Sequence, residues 1–244
     1  MREALKSLPN MVTLGNLLCG LIGIERLFAG ELITAFVLVL VAAVLDFMDG
    51  FLARLLKADG EMGKQLDSLA DLVTFGVLPG LIFYHYMMFY GYCYPNGFCT
   101  SRYAWLVIPA AAAWRLARFN ASAPSLTGFV GVPVPIAGIA LSSIALSLSS
   151  IDGWAPGLLQ PILSNFYFLS MAPVVVAWFM VSEFPMMAMK FYAGDTQKVW
   201  KVALVVAVLV VIVVFRRDAG IPVLLVYVLM SLLANFANTK KQHG

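Results

Sequence analysis

The stretch ALVVAVLVVIVVF at residues 203–215 offers no polar side chain to any face of a helix. Runs of this kind recur along the chain, at about 9–29, 32–56, 64–90, 102–120, 132–150, 164–183, 198–215 and 220–236. A helix crosses a bilayer with about 20 apolar residues. In the water-free core, only helices and closed barrels satisfy their own backbone groups. The period-2 alternation of a barrel is absent, so the runs predict helices. Composition agrees: 61% of the 244 residues are hydrophobic and 12% charged, against about 25% charged in soluble domains. The expected fold class is an all-α polytopic membrane protein with about eight transmembrane helices. No polar stretch is long enough for a soluble domain, so residues 1–244 are expected to form one membrane domain.

Short turn-forming segments separate the runs, among them Gly30-Glu31, Pro95-Asn96-Gly97, Asp152-Gly153 and Gly194-Asp195. Residues 1–8 carry Arg2, Glu3 and Lys6 and read as a short interfacial helix leading into a retained first span. No Ala-x-Ala site follows the apolar part to mark a cleaved leader. Cys19 reads as a small packing residue. Cys93 and Cys99 have a spacing compatible with either a disulfide or two free thiols. The net charge of +3 is too small and scattered for nucleic-acid binding. With the N-terminus in the cytoplasm, twelve of the sixteen Lys and Arg residues fall on cytoplasmic ends; Arg26, Arg102, Arg216 and Arg217 fall opposite. That is the positive-inside pattern.

Against this apolar background stand four acids within 26 residues: Asp46, Asp49, Asp67 and Asp71. An ionised side chain at bilayer depth costs about 2.5–3.5 kcal/mol on insertion scales and is functional by default. At about 100° per helical residue, Asp46, Asp49, Gly50, Ala53 and Arg54 share one face of the second span. Gly63, Asp67, Asp71 and Thr74 share one face of the third. A short bend between the spans lets the two acidic faces meet, at what the charge pattern makes the cytoplasmic mouth.

Oxygen-only ligands select hard cations such as Mg²⁺, Mn²⁺ or Ca²⁺, and no Cys/His set favours zinc. Gly50 and Ala53 clear space beside the acids, and Arg54 offers a planar fork to phosphate. Together they point to chemistry on a pyrophosphate, with cations at the reacting oxygens and a spare carboxylate to take a proton. The plainer reading is a structural charge network pairing the acids with Arg54, Lys57 and Lys64. It leaves the interleaved Gly and Ala without a purpose.

The run matches Asp-x2-Asp-Gly-x2-Ala-Arg-x8-Gly-x3-Asp-x3-Asp at every fixed position, from Asp46 to Asp71. In this it resembles the CDP-alcohol phosphotransferase family. The resemblance implies that Asp46, Asp49, Asp67 and Asp71 ligate two divalent cations, and that Asp71 is also the catalytic base. It implies that Gly50, Ala53 and Arg54 border the CDP moiety, that Gly63 allows close helix approach, and that the chain forms a homodimer. Gly20 and Gly23 are small enough to serve a close helix contact of that kind.

Further stretches bear on the acceptor alcohol. They are Pro9-Asn10-Met11-Val12-Thr13-Leu14-Gly15-Asn16, Ser68 to Gly76, Arg115-Leu116-Ala117-Arg118-Phe119-Asn120 and Gly128 to Pro135. Together they resemble the phosphatidylserine synthase branch of the family. The likeness covers residues 9–190 and leaves 191–244 as two additional C-terminal spans with no visible chemistry. It implies CDP-diacylglycerol and L-serine as substrates, in the inner membrane of a prokaryote. Arg115 and Arg118, three apart, suit a serine carboxylate or serve as positive-inside anchors. Asn120 reads as an acceptor contact or a helix terminus. Asn10, Thr13 and Asn16 read as CDP-diacylglycerol contacts or as capping and packing groups. His85 lies at the far end of the third span and reads as interfacial.

Three other functions remain open on the sequence. One is the same chemistry with glycerol 3-phosphate or an inositol phosphate as acceptor. A second is a membrane prenyltransferase, whose two aspartate motifs lie on widely separated helices. The third is a divalent-cation transporter, which leaves Gly50, Ala53 and Arg54 unexplained.

Overall fold

The order of elements follows the apolar runs. The computed structural model describes residues 7–58, 60–89, 100–121, 129–148, 165–186, 198–215 and 219–242. The interfacial helix expected at 1–8, the Cys93–Cys99 pair, Gly128 and Arg216-Arg217 lie wholly or mainly outside these residues. Helix α1 (Leu8–Phe28) starts with Pro9, whose missing N–H costs nothing in a first turn. Gly30, at φ +83°, then turns the chain into α2 (Leu32–Leu56). Helix α2 ends at Lys57, which takes the left-handed conformation and donates its N–H back to the last-turn carbonyls.

The third rod is α3 (Glu61–Asp71), a π-helical segment (Leu72–Val77) and α4 (Leu78–Phe89) in direct succession. A 3₁₀ turn (Thr100–Leu106) leads into α5 (Val107–Ala121). Then follow α6 (Val134–Leu148), α7 (Phe166–Val181), α8 (Lys198–Phe215) and α9 (Gly220–Gln242). Asn165 caps α7 by accepting the N–H groups of Tyr167 and Phe168 at 2.9 and 3.3 Å. One short departure from an all-helical fold occurs among the described residues. Strand β1 (Phe129–Val130) pairs antiparallel with β2 (Pro185–Met186), Phe129 opposite Met186.

The surface carries the membrane signature. Large apolar side chains such as Phe47, Leu18 and Val213 stand mostly exposed, which is tolerable only if lipid covers them. Among the described residues, three helices are long and apolar enough to cross a membrane: Leu8–Phe28, Leu32–Leu56 and the continuous Glu61–Met88. Shorter apolar helices at Val134–Ile144, Phe166–Val181, Trp200–Phe215 and Gly220–Ala234 follow the later runs. Helix α5 occupies the remaining run. The chain is an integral membrane protein.

Packing converges on the π segment. Its wide turn buries three successive residues, Thr74, Phe75 and Gly76, where an α-helix would turn one of them outward. Helix α1 presents Pro9, Thr13, Asn16, Gly20, Gly23 and Leu27 inward, spaced four and three apart. A Cβ on Gly20 would fall 2.5 Å from Thr74 Oγ1 and 3.1 Å from Thr74 Cα. From the other side, a Cβ on Gly138 of α6 would meet the Phe75 carbonyl oxygen at 2.6 Å. Helices α1 and α6 thus hold the turn that directly follows Asp71.

This corrects one expectation. Gly20 and Gly23 serve contacts inside the chain, against Thr74 and Leu78, so they give no support to a subunit interface. The two positions should respond differently to alanine. At Gly20 the obstacle includes backbone, so overpacking of about 1–3 kcal/mol outweighs the helix-propensity gain of about 1 kcal/mol. At Gly23 the near atom is the mobile tip of Leu78, at 2.5 Å. Thermal unfolding in detergent should therefore show Gly20→Ala destabilised and Gly23→Ala close to the parent protein.

Candidate active site

The acidic faces of α2 and α3 do meet. Carboxylate oxygens of Asp46, Asp49 and Asp67 all lie within 4.8 Å of one another. Asp49 is 5% exposed, and its Oδ2 accepts a 2.6 Å hydrogen bond from Thr13 Oγ1 of α1. The Thr13 hydroxyl also lies 3.0 Å from the Pro9 carbonyl, one turn back. Asp71, 6% exposed, stands outside this trio. Its Oδ1 accepts from Asn16 Nδ2 at 3.2 Å. Asn16 is itself anchored, since its carbonyl accepts from Thr74 Oγ1 at 3.2 Å. Thr13 and Asn16 therefore face the aspartates from the inner side of α1.

Three carboxylates this close repel one another strongly unless something positive lies among them. The ion pairs seen among the described residues join Arg26 to Glu25 and Glu31, and Arg118 to Glu183. None of them neutralises Asp46, Asp49 or Asp67. Asp67 Oδ1 is buried and accepts no hydrogen bond. A buried oxygen anion without a donor is what a cation ligand looks like before the cation is counted. The all-oxygen set fits a hard divalent ion, and it argues against a purely structural charge network.

The surrounding walls match the expected roles unevenly. A Cβ on Gly50 would have only Arg54 Nη1 near it, at 3.7 Å, so the α2 wall is open there with the guanidinium alongside. At Gly63 a Cβ would come within 2.9 Å of Asn10 Oδ1, so the glycine lets α3 approach the start of α1. Ala53 is half-buried on the same stretch of α2.

The three residues considered for the acceptor part company. Arg115 turns inward: its Nε is buried, and its guanidinium lies within electrostatic range of Asp71. Arg118 is exposed and pairs with Glu183 at 2.7 Å. Asn120 ties the end of α5 to α3, donating to Ser68 Oγ at 2.8 Å while its carbonyl accepts from Lys64 Nζ at 3.4 Å. Arg118 and Asn120 thus brace helices, and Arg115 alone of the three reaches toward the acids.

One neighbour was missed by sequence reasoning. Tyr227 of α9 lies within electrostatic range of Arg115, although the last two spans had shown no chemistry. The signal was a lone phenol in an apolar run, which needs a polar partner when buried.

A family profile described as CDP-alcohol phosphatidyltransferase matches residues 6–180. The chain belongs to that family. Among curated CDP-alcohol phosphatidyltransferase relatives, it is 35% identical over 144 residues to the Bacillus subtilis protein named CDP-diacylglycerol–serine O-phosphatidyltransferase. That match covers 59% of this chain and 78% of the relative. The Mycobacterium leprae protein of the same name is 34% identical over 161 residues, 62% of this chain and 50% of that protein. The archaetidylserine synthase of Methanothermobacter thermautotrophicus is 30% identical over 146 residues, 58% of each chain. The chain spans about half the length of the last two relatives.

Proposed function

We propose that the protein transfers a phosphatidyl group from CDP-diacylglycerol to L-serine, forming phosphatidylserine and releasing CMP. The observation that carries this reading is the meeting of Asp46, Asp49 and Asp67 within 4.8 Å, beside an Asp71 held separately by Asn16. The choice of serine draws on the names of the relatives and on Arg115, a basic group of the acceptor stretch within electrostatic range of Asp71.

In this reading Asp46, Asp49 and Asp67, with Asp71 adjoining, hold two divalent cations, Mg²⁺ or Mn²⁺. When bound, such ions supply positive charge to the pyrophosphate oxygens and to the departing phosphate. The chain's own groups do the rest. Arg54 holds the nucleotide side of the donor over the wall opened by Gly50 and Ala53. Asp71 takes the proton from the serine hydroxyl. The freed oxygen forms a bond to the phosphorus that carries diacylglycerol, the P–O bond to CMP breaks, and its electron pair leaves with CMP. Thr13 and Asn16 fix the carboxylates of Asp49 and Asp71 on the side that faces the donor.

The same proposal takes the chain as one catalytic domain of eight spans, with a core at residues 9–190. It works as a homodimer in a prokaryotic inner membrane, with the acidic pocket open to the cytoplasm. CMP release from CDP-diacylglycerol by the purified protein tests the chemistry. Release should require serine and either Mg²⁺ or Mn²⁺, and should stop with chelator. Release that depends on glycerol 3-phosphate or an inositol phosphate, and not on serine, would overturn the acceptor. Divalent-ion flux without CMP release would overturn the enzyme reading.

A further inference from the structure

Thr74 stands three residues past Asp71 and is fully buried, yet nothing in the chemistry proposed above calls on it. It opens the run of three buried residues that the π turn sets against three different helices. Thr74 packs on α1, where Gly20 makes room for it: a Cβ there would stand 2.5 Å from Thr74 Oγ1. Phe75 lies against α6, where a Cβ on Gly138 would meet its carbonyl oxygen at 2.6 Å. Gly76 lies against α5, with Ala112 Cβ 3.1 Å from where its own Cβ would be. Close-packed on three sides, the turn has little freedom to rotate about its axis. Asp71, directly before it, is fixed with it.

A buried hydroxyl on a helix commonly satisfies itself on the carbonyl four residues back. Ser68 does so on Lys64, and Ser142 on Gly138. Thr74 instead crosses to another helix and donates to the Asn16 carbonyl at 3.2 Å. That carbonyl already closes a turn of α1 with the Gly20 N–H, so α1 does not need a second donor there. The Asn16 side chain is the one that reaches Asp71, donating from Nδ2 to Oδ1 at 3.2 Å. Asn16 is fully buried and its Oδ1 accepts no hydrogen bond. The amide is therefore aimed by its Asp71 bond at one end and by the seating of its backbone at the other. We propose that Thr74 is a positioning residue: set over Gly20 by the π turn, it fixes Asn16, and Asn16 holds the Asp71 carboxylate where it meets the acceptor. This rests on the role given to Asp71 above and not on which alcohol is the acceptor.

Two substitutions separate positioning from folding. Thr74→Val keeps the branched shape and loses the hydroxyl; Thr74→Ser keeps the hydroxyl and loses a buried methyl group. In Thr74→Val, kcat for CMP release should fall about tenfold. That is the upper end of what one hydrogen bond is worth, and less than the roughly 10²-fold that a 1 Å misplacement costs. KM for serine, KM for CDP-diacylglycerol and Mn²⁺ affinity by calorimetry should each stay within about twofold of the parent. Thr74→Ser should recover most of the rate, yet unfold at the lower temperature of the two, because the missing methyl leaves a cavity. Added to Asn16→Ala, Thr74→Val should cost less than about twofold in kcat, because it acts through the Asn16 side chain.

An unchanged kcat in Thr74→Val would overturn the inference. So would a kcat that follows unfolding temperature through the two variants, the mark of a merely structural contact, or a full tenfold loss on top of Asn16→Ala. Failure of the Asp71 reading shows separately, as activity restored to Asp71→Asn by high Mn²⁺, and the inference falls with it. A wrong acceptor shows in the unsubstituted protein as CMP release that does not need serine; the same tenfold fall is then expected with the acceptor that supports release.

Discussion

Asp71→Asn should lower serine-dependent CMP release by about 10²–10⁴-fold, the usual worth of a positioned general base, while CDP-diacylglycerol still binds. The substitution preserves shape and leaves an amide oxygen for Asn16 Nδ2, which sits 3.2 Å from Asp71 Oδ1. What it removes is the capacity to take a proton. Steady-state kinetics with both substrates varied, plus equilibrium binding of the donor, make the check. The geometry also separates two roles for this residue. Asp71 stands outside the trio whose oxygens gather within 4.8 Å, so its loss should leave divalent-ion affinity comparatively intact. Recovery of activity in Asp71→Asn at high Mn²⁺ would mean that the residue acts as a ligand and not as the base.

The opposite pattern is expected for the trio. Asp67→Asn should weaken Mn²⁺ binding at least as much as loss of a supporting residue does, which is about 10–100-fold, and activity should fall with it. One oxygen of Asp67, Oδ1, is buried without a hydrogen-bond donor, so the change falls on an oxygen available to a cation. Thr13→Val is the graded comparison. It removes the 2.6 Å hydrogen bond to Asp49 and nearly preserves volume, so its effect should stay within about 10–100-fold. Raised Mn²⁺ should restore activity in Thr13→Val more readily than in Asp67→Asn. Titration of Mn²⁺ by calorimetry, with CMP release measured across the same concentrations, reads both. Equal Mn²⁺ affinity in Asp67→Asn and the parent protein would remove the residue from the metal site.

The acidic site was largely legible in the sequence because its information is local. The spacing of Asp46 and Asp49 on one helix, and of Asp67 and Asp71 on the next, fixes which face each carboxylate takes once helices are granted. The turn between the helices leaves few ways to assemble them. Gly50 and Gly63 could be read in the same manner, one clearing a wall and the other admitting Asn10. Arg115, Arg118 and Asn120 were less tractable. They fall within six residues of one helix, but their fates depend on what α3, α9 and Glu183 bring against that helix. Helical phase alone says which way a side chain leaves its own axis and nothing about what it meets.

By itself the sequence determined that this chain lives in a bilayer, that it is built of helices, and that four acids share a pocket between its second and third spans. Those conclusions rest on hydropathy, on the need to satisfy backbone groups in lipid, and on helical periodicity, all of which act over short stretches of chain. Only the tertiary structure decided that Thr13 and Asn16 support the acids, that Gly20 is consumed against Thr74 inside the chain, and that Arg118 pairs with Glu183. The physical reason is distance along the chain. Asn16 and Asp71 are 55 residues apart, and Thr13 and Asp49 are 36. Contacts of that kind are set by how α1, α5 and α6 pack around the π turn at Leu72–Val77, and no short stretch of sequence carries them.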